Sequence, residues 1–438
     1  MREARAEYDL GEPGPLARLT VGWHHGTRPA SLREHARRYG PLEHAIGRHL
    51  IKEVAASGLT GRGGAGFPTG TKMGAVAEGR GPAIVVANGM ESEPASEKDQ
   101  ALLTRAPHLV MDGIAAAAAA VGAMEAHLCL SRGRERLTDS VLAAAAEREQ
   151  SGVDRVWLQV HLLPHHYVSS EETALVRWLN GGEAKPLTTP PRPYERGVGR
   201  RPTLVDNVET LAHLALITRH GADWFRQAGS AETPGTMLVT VTGAVDRAGV
   251  YEVEAGTRIG DILRLAGAAA GTESLLAGGY FGTWHQISEV TGMPFTKDGM
   301  RPAGGAPGAG VLFVLPPGSC GLREAARVLR YLAGQGAQQC GPCLFGLPAI
   351  AEDLAQLAAS RPDGAPLDRL ERRFRQISGR GACRHPDGAV RMAASALTAF
   401  AADAHAHARR LPCLAGRGRS PRAAELPVPR PFAEGEWR

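Results

Sequence analysis

The sequence has few cysteines and no long apolar run, and neither sign of charge dominates it. The longest apolar stretch, 114–124, is alanine-rich and follows Asp112. It falls short of the roughly 18–20 residues that span a bilayer, so no direct membrane span is expected. Lys plus Arg number 50 against 45 Asp plus Glu, a net +5 with no basic block, which gives no reason to expect a nucleic-acid partner. Gly and Pro number 55 and 30 of 438 residues, below the roughly 25–30% of low-complexity chains. Residues 1–20 lack an apolar segment before a small-residue cleavage site, so a reducing cytoplasm is expected. The 6 cysteines are then thiols, thiolate ligands or redox centres.

At roughly 100–200 residues per domain the length holds two to four domains. Residues 1–45 carry scattered Gly, Pro, His and Arg and read as a loosely packed leader. A helix predicted over 42–56 leads into the unit 46–230, followed by a strand at 83–87, a helix over 109–124, a strand at 126–129, a helix over 137–150 and a strand at 156–163. This alternation predicts an α/β unit with a mostly parallel sheet. Residues 231–318 hold two strands at hairpin spacing and then a helix over 259–266, a small α+β module. Residues 319–408 predict a bundle of amphipathic helices over 322–332, 348–359, 367–377 and 390–407. Residues 409–438, with seven Arg, three Glu and five Pro, read as a mobile tail.

Residues 58–70 are dense in glycine, and Gly61, Gly63 and Gly66 formally match a dinucleotide fingerprint. That fingerprint needs a preceding strand, and here a helix precedes. The loop keeps its physical capacity: Gly61, Arg62, Gly63, Gly64, Ala65 and Gly66 can turn N–H groups toward an anion, and Lys72 adds a point charge. Asn88, Glu91 and Glu93 follow the first strand, Ser170, Glu171 and Glu172 follow the third, and Asp206, Asn207 and Glu209 form a third polar group. Open α/β sheets bind ligands at the carboxyl ends of their strands. One acidic pair is commonly solvated surface; three such groups beside a glycine loop point to a large polar cofactor.

Cys340-Gly-Pro-Cys343 has the composition of a thioredoxin-type dithiol but follows a helix instead of a strand. With Cys383 it offers three thiolates in a helical domain, suited to an iron-sulfur centre. Zinc is the rival, with His385 completing a Cys₃His set. Cys129 reads as strand core, while Cys320 and Cys413 have no evident companions.

Taken together, 61–70, 88–94, 171–175, 202–210 and the cysteine region resemble, in order and spacing, the NADH-binding flavoprotein subunit of respiratory complex I and its relatives in NAD-linked hydrogenases and formate dehydrogenases. The resemblance runs from about residue 50 to about 405, and 235–300 look like the family's β-grasp, soluble-ligand-binding module. It implies a Rossmann-like flavin domain, then that module, then a helical iron-sulfur domain. It implies FMN held by the glycine loop, Lys72, Asn88, Glu91, Ser170, Glu171 and Asn207, and NADH contacted by Phe67, Glu93 and Glu172. It further implies a 4Fe-4S cluster on Cys340, Cys343 and Cys383, with electrons passed to ferredoxin-like or thioredoxin-like iron-sulfur subunits, in a complex that can lie peripheral to a membrane.

The chain departs from the family's pattern at several places. Met90 stands where an acidic residue is usual, Ser170 where Gly is usual, and Asp206 where a second Asn is usual. Ala75 and Arg192 replace aromatics that flank the adenine, and Ala337 occupies the position of the first cluster cysteine. The expected function is an NADH-oxidising flavin and iron-sulfur electron-transfer subunit. The alternatives are a non-catalytic scaffold of the same fold and a zinc or thiol module at Cys340 and Cys343.

Overall fold

The computed structural model describes residues 17–23, 28–42, 46–411, 413, 425–429 and 436–438. The first unit is built on four strands, β1 (Ile84–Gly89), β2 (Glu125–Ser131), β3 (Trp157–Leu163) and β4 (Thr203–Asn207), in the order β3-β2-β1-β4. Every pairing is parallel. Side chains on both faces of β1 are buried, as a continuous Ile-Val-Val-Ala run requires when helices cover both sides. The helices are α1 (Leu32–Tyr39), α2 (His49–Ser57), α3 (Thr69–Ala77), α4 (Lys98–Arg105), α5 (Pro107–Val121), α6 (Glu135–Ser151), α7 (Glu172–Leu179), α8 (Pro193–Arg196) and α9 (Val208–Arg226). Helices α5 and α9 approach so closely that a Cβ on Gly113 would lie 1.9 Å from the Leu211 carbonyl oxygen, so only glycine fits there.

The expectation of a loosely packed leader is corrected for its described residues. Helix α1 starts in a capping box in which Ser31 and Glu34 satisfy each other's backbone N–H groups. His35 of α1 is buried 2.6 Å from Asp112, which Arg148 and Arg219 also engage. Upstream, Leu19 and Trp23 are core residues, and the N–H groups of Arg18, Leu19 and Thr20 converge on Glu252.

The second unit is a mixed five-stranded sheet of β5 (Thr236–Gly243), β6 (Gly249–Glu254), β7 (Ser274–Ala277), β8 (Thr283–Gln286) and β9 (Val311–Val314), ordered β6-β5-β9-β7-β8. Strands β5 and β6 form the expected hairpin, and β5 pairs β9 in parallel. Helix α10 (Ile259–Ala266) packs its apolar side on this sheet, and the short helices α11 (Ile287–Val290) and α12 (Lys297–Met300) follow.

The third unit contains α13 (Gly321–Gly334), α14 (Leu347–Ala358), α15 (Pro366–Ile377), α16 (His385–Ala399) and α17 (Ala401–Ala408). The single helix expected over 390–407 is two: Phe400 adopts φ −114°, ψ 37° and turns the chain. Its ring packs against Trp284 and fills the space where Gly321 has no Cβ. The expected mobile tail is also corrected where it is described, since Leu426 is fully buried in this core and Trp437 stacks on His166 at 3.8 Å.

Candidate functional site

A cavity of about 760 Å³ opens at the carboxyl edge of the parallel sheet and is lined by all three units. From the first come the glycine loop, Asn88, Glu91, Glu93, Lys98, Tyr167, Ser170, Glu171, Asn207 and Glu209. The second contributes Gly278, 281–283 and 304–310, and the third contributes Cys383, His385 and Arg391.

The glycine loop connects α2 to α3, pinned by Gly61 N–H to the Phe67 carbonyl and Thr69 N–H to the Leu59 carbonyl, both 2.9 Å. Gly64 (φ 103°) and Gly66 (φ 64°) hold left-handed backbone that side chains rarely adopt. A Cβ at Gly64 would sit 3.4 Å from the backbone of Gly308. The result is an open backbone cradle, the form of loop that turns N–H groups to an anion.

Behind it lies a buried polar network. Lys98 donates to Asp99 (2.7 Å) and Glu209 (2.8 Å). Burial opposes its charge, but the two carboxylates outweigh that and hold the ammonium above its usual pKa. Asn207 caps α9 through the N–H of Glu209 and donates to Asp99 at 2.6 Å. Its neighbour Asn88 donates to the Ser170 carbonyl at 2.8 Å. Glu91 has φ 37° and accepts from Ser96 Oγ, Asp99 N–H and Gln100 N–H at 2.8–2.9 Å. Its carboxyl is nonetheless raised above the usual range, first by burial and then by Asp99.

Glu93 is buried where the three units meet. One carboxylate oxygen accepts from Tyr167 OH and Tyr280 N–H, each at 2.8 Å. Burial pushes its pKa up to about 7, with the hydrogen bonds opposing. Glu171 caps α7 through the N–H groups of Thr173 and Ala174, and burial raises its carboxyl. Glu172 is absent from the cavity lining and meets Arg192 at 3.5 Å.

Lys72 is likewise absent from the lining; its ammonium donates to the Val205 carbonyl (2.8 Å) and to Asp206 (3.2 Å), the residue that stands where the family has Asn. Phe67 also lies outside the lining and is half exposed. Met90 is buried in an apolar cluster with Cys129 and Leu163. Sequence reasoning misses Lys98 and Tyr167. The Lys98-Asp99-Gln100 segment carries no motif, and only its placement opposite Glu209 reveals a buried ion pair.

Cys340, Cys343 and Cys383 lie near enough to influence one another, and Cys383 is the one of the three that lines the cavity. The neighbouring thiols add to the burial that pushes Cys343 up to about 12, and Cys383 is raised by burial and by Cys340 among others. Cys343 lies in a π-helical turn, Pro342–Gly346, a geometry frequent at functional sites. Ala337, at the first-cysteine position, is buried and offers only a methyl group. Gln339 is engaged elsewhere, accepting from Arg177 and donating to the Pro186 carbonyl. His385 Nε2 bonds the Leu332 carbonyl at 2.8 Å, while its buried Nδ1 has no hydrogen-bond partner.

Comparison with known proteins adds three matched segments. Residues 54–216 match the Nuo51 FMN-binding domain, 238–277 the SLBB domain, and 323–407 the NADH-ubiquinone oxidoreductase-F iron-sulfur binding region. The NADH-quinone oxidoreductase F subunit 2 of Rhizobium meliloti is 31% identical over 85% of this chain and 93% of its own length. The corresponding F subunit of Streptomyces coelicolor is 33% identical over 84% of each. Two crystal structures of NAD+-reducing NiFe-hydrogenase, H2-reduced and air-oxidized, are similar at TM-scores of 0.82 and 0.77 and identities of 28% and 29%. They cover 93% and 83% of this chain, which spans 68% and 62% of their lengths.

Proposed function

The chain belongs to the family of NADH-quinone oxidoreductase F subunits, and from that premise we propose that it oxidises NADH at an FMN in the three-unit cavity and passes electrons singly to a partner. One observation carries the reading: the cavity combines a glycine cradle with the buried Glu91 and Lys98 and the half-buried Asn88 and Asn207 at the carboxyl edge of a parallel sheet. Its volume is within the roughly 300–1,000 Å³ of ligand pockets, and the polar lining fits FMN. The chemistry FMN supplies when bound is conversion of one hydride into two single electrons.

The chain's own residues bind and orient. The loop offers the N–H groups of Gly63–Gly66 to the phosphate, and Asn88 and Asn207, fixed by their bonds to Ser170 and Asp99, present amides to ring and ribitol. Glu93, clamped by Tyr167 and Tyr280, positions the nicotinamide nucleotide, with Glu172 and Phe67 next in sequence to the lining residues Glu171 and Gly66; such positioning is the protein's main contribution. Lys72 neutralises Asp206 and so acts on the site through the β4 end.

Three thiolates fit part of a cubane donor set, and the buried Ala337 leaves it one thiolate short. Leu344 and Phe345, exposed beside Cys343, suit a docking partner, which we assign to the ferredoxin-like or thioredoxin-like iron-sulfur class. No helix among the described residues is long and apolar enough to cross a membrane, in keeping with a place peripheral to any membrane complex.

The test is protein expressed with added FMN, purified without oxygen, denatured to release flavin, and separately mixed with NADH in stopped flow. Released FMN and its bleaching by NADH are expected. Folded protein that releases no flavin refutes the reading. Ala337 favours one second reading, a scaffold that keeps flavin but lacks the cluster; its spectrum would show flavin bands without the broad iron-sulfur shoulder.

A further inference from the structure

Helix α13 has its Cys320 end opposite the end leading to Cys340 and Cys343, and its 14 residues span about 20 Å. Cys320 is its N-cap residue. The Cys320 thiol, a ring nitrogen of His407 at the end of α17, and the Cys413 thiol all lie within 4.8 Å of one another. We propose that Cys320, His407 and Cys413 hold a structural zinc ion, with the Asp403 carboxylate as the fourth donor.

His407 is the observation that points to a ligand. Its side chain is fully buried, yet neither ring nitrogen makes a hydrogen bond of normal geometry. An imidazole left so is unfavourable unless a bound ion satisfies it. The Leu357 carbonyl faces the ring, the arrangement in which a metal-bound imidazole's second nitrogen is held. Asp403 Oδ1 lies 3.9 Å from the Cys413 sulfur, so a carboxylate already stands at the rim.

Two thiolates, an imidazole and a carboxylate are the donor types that zinc takes in tetrahedral sites. A Cys320–Cys413 disulfide would use the two sulfurs but give the buried His407 no partner. The ion ties the segment after α17 to the start of α13. Beyond Cys413, Leu426 returns to the same core and its N–H donates to Glu324, near the start of that helix.

The test uses the full chain purified under reductant with zinc supplied, followed by metal analysis. One zinc per chain is expected, retained in Cys343→Ser and reduced at least about tenfold in Cys413→Ser and His407→Ala. Misfolding of those variants would also lose zinc, so cobalt is added to metal-stripped wild type, where tetrahedral d–d bands with thiolate charge transfer are expected. The proposal is overturned by wild type that takes neither zinc nor cobalt, by zinc lost in Cys343→Ser and kept in Cys413→Ser, or by a Cys320–Cys413 disulfide found after thiol alkylation and mass spectrometry of reductant-free protein.

Discussion

The sheet-edge cavity and the cluster cysteines, of which Cys383 lines that cavity, are provisioned differently. In the cavity the buried Glu91, Glu93, Asp99 and Glu209 each have a donor, and Lys98 and Asn207 tie several of them together. Among the cluster cysteines three thiols influence one another, and the residue aligned with the first cluster cysteine is the buried Ala337. Removing a group from the first region should therefore cause loss, whereas adding one to the second should bring gain.

The largest effect is expected at Lys98. Lys98→Met leaves Asp99 and Glu209 buried without their cation, and loss of one partner of a buried pair costs about 3–5 kcal/mol. Equilibrium denaturation measures it; a change below about 1 kcal/mol would place these carboxylates in water and break the contrast. Next comes Ala337→Cys, which should raise iron per chain several-fold and slow its loss in air, read by iron and sulfide assay and electron paramagnetic resonance. An iron-free Ala337→Cys protein would end the iron-sulfur assignment for the three cysteines.

Glu93→Gln follows, with flavin reduction slowed about tenfold in stopped flow while FMN is retained. The same residue has a pH signature. Its carboxyl titrates at about 7 in the folded chain and at roughly 4.3 in a free peptide. The folded state thus holds the extra proton in between, and stability is highest below the unfolded value and falls as pH rises toward 7. Melting of Glu93→Gln across pH 4–8 should lack this component; an identical slope would refute the buried assignment. The smallest effect is reserved for the half-exposed Phe67, where Phe67→Ala should raise KM for NADH by about three- to tenfold with kcat little changed.

Local patterns in the chain carry most of the fold. The apolar run 83–87 forms β1 because a parallel strand covered on both faces needs no alternation, and the Gly loop stands out by composition. The packed leader is signalled by Ser31-x-x-Glu34, a capping box easily lost among scattered Arg and His. The break at Phe400 has no Gly or Pro to announce it; it follows from packing on Trp284 and Gly321. Lys98 and the Cys320–His407–Cys413 group are invisible in the sequence for a common reason. Glu209 is distant from Lys98 along the chain, as Cys320 is from His407 and Cys413, and only the closed topology brings them together.

The stacking of Trp437 on His166 has a practical bearing on how this molecule can be cut and recombined. Ala184 N–H donates to the Trp437 carbonyl at 2.7 Å, and His166 bonds the Glu436 carbonyl at 2.8 Å, so the last residues are clipped beside Tyr167 in the first unit. At the other end, Leu19 and Thr20 are held by Glu252 of the second unit. The three units are laced by segments that return across them, and a fragment trimmed at the obvious linkers would shed part of its own surface. Chimeras that exchange the helical unit should carry residues 425–438 with it, together with a matching patch around His166.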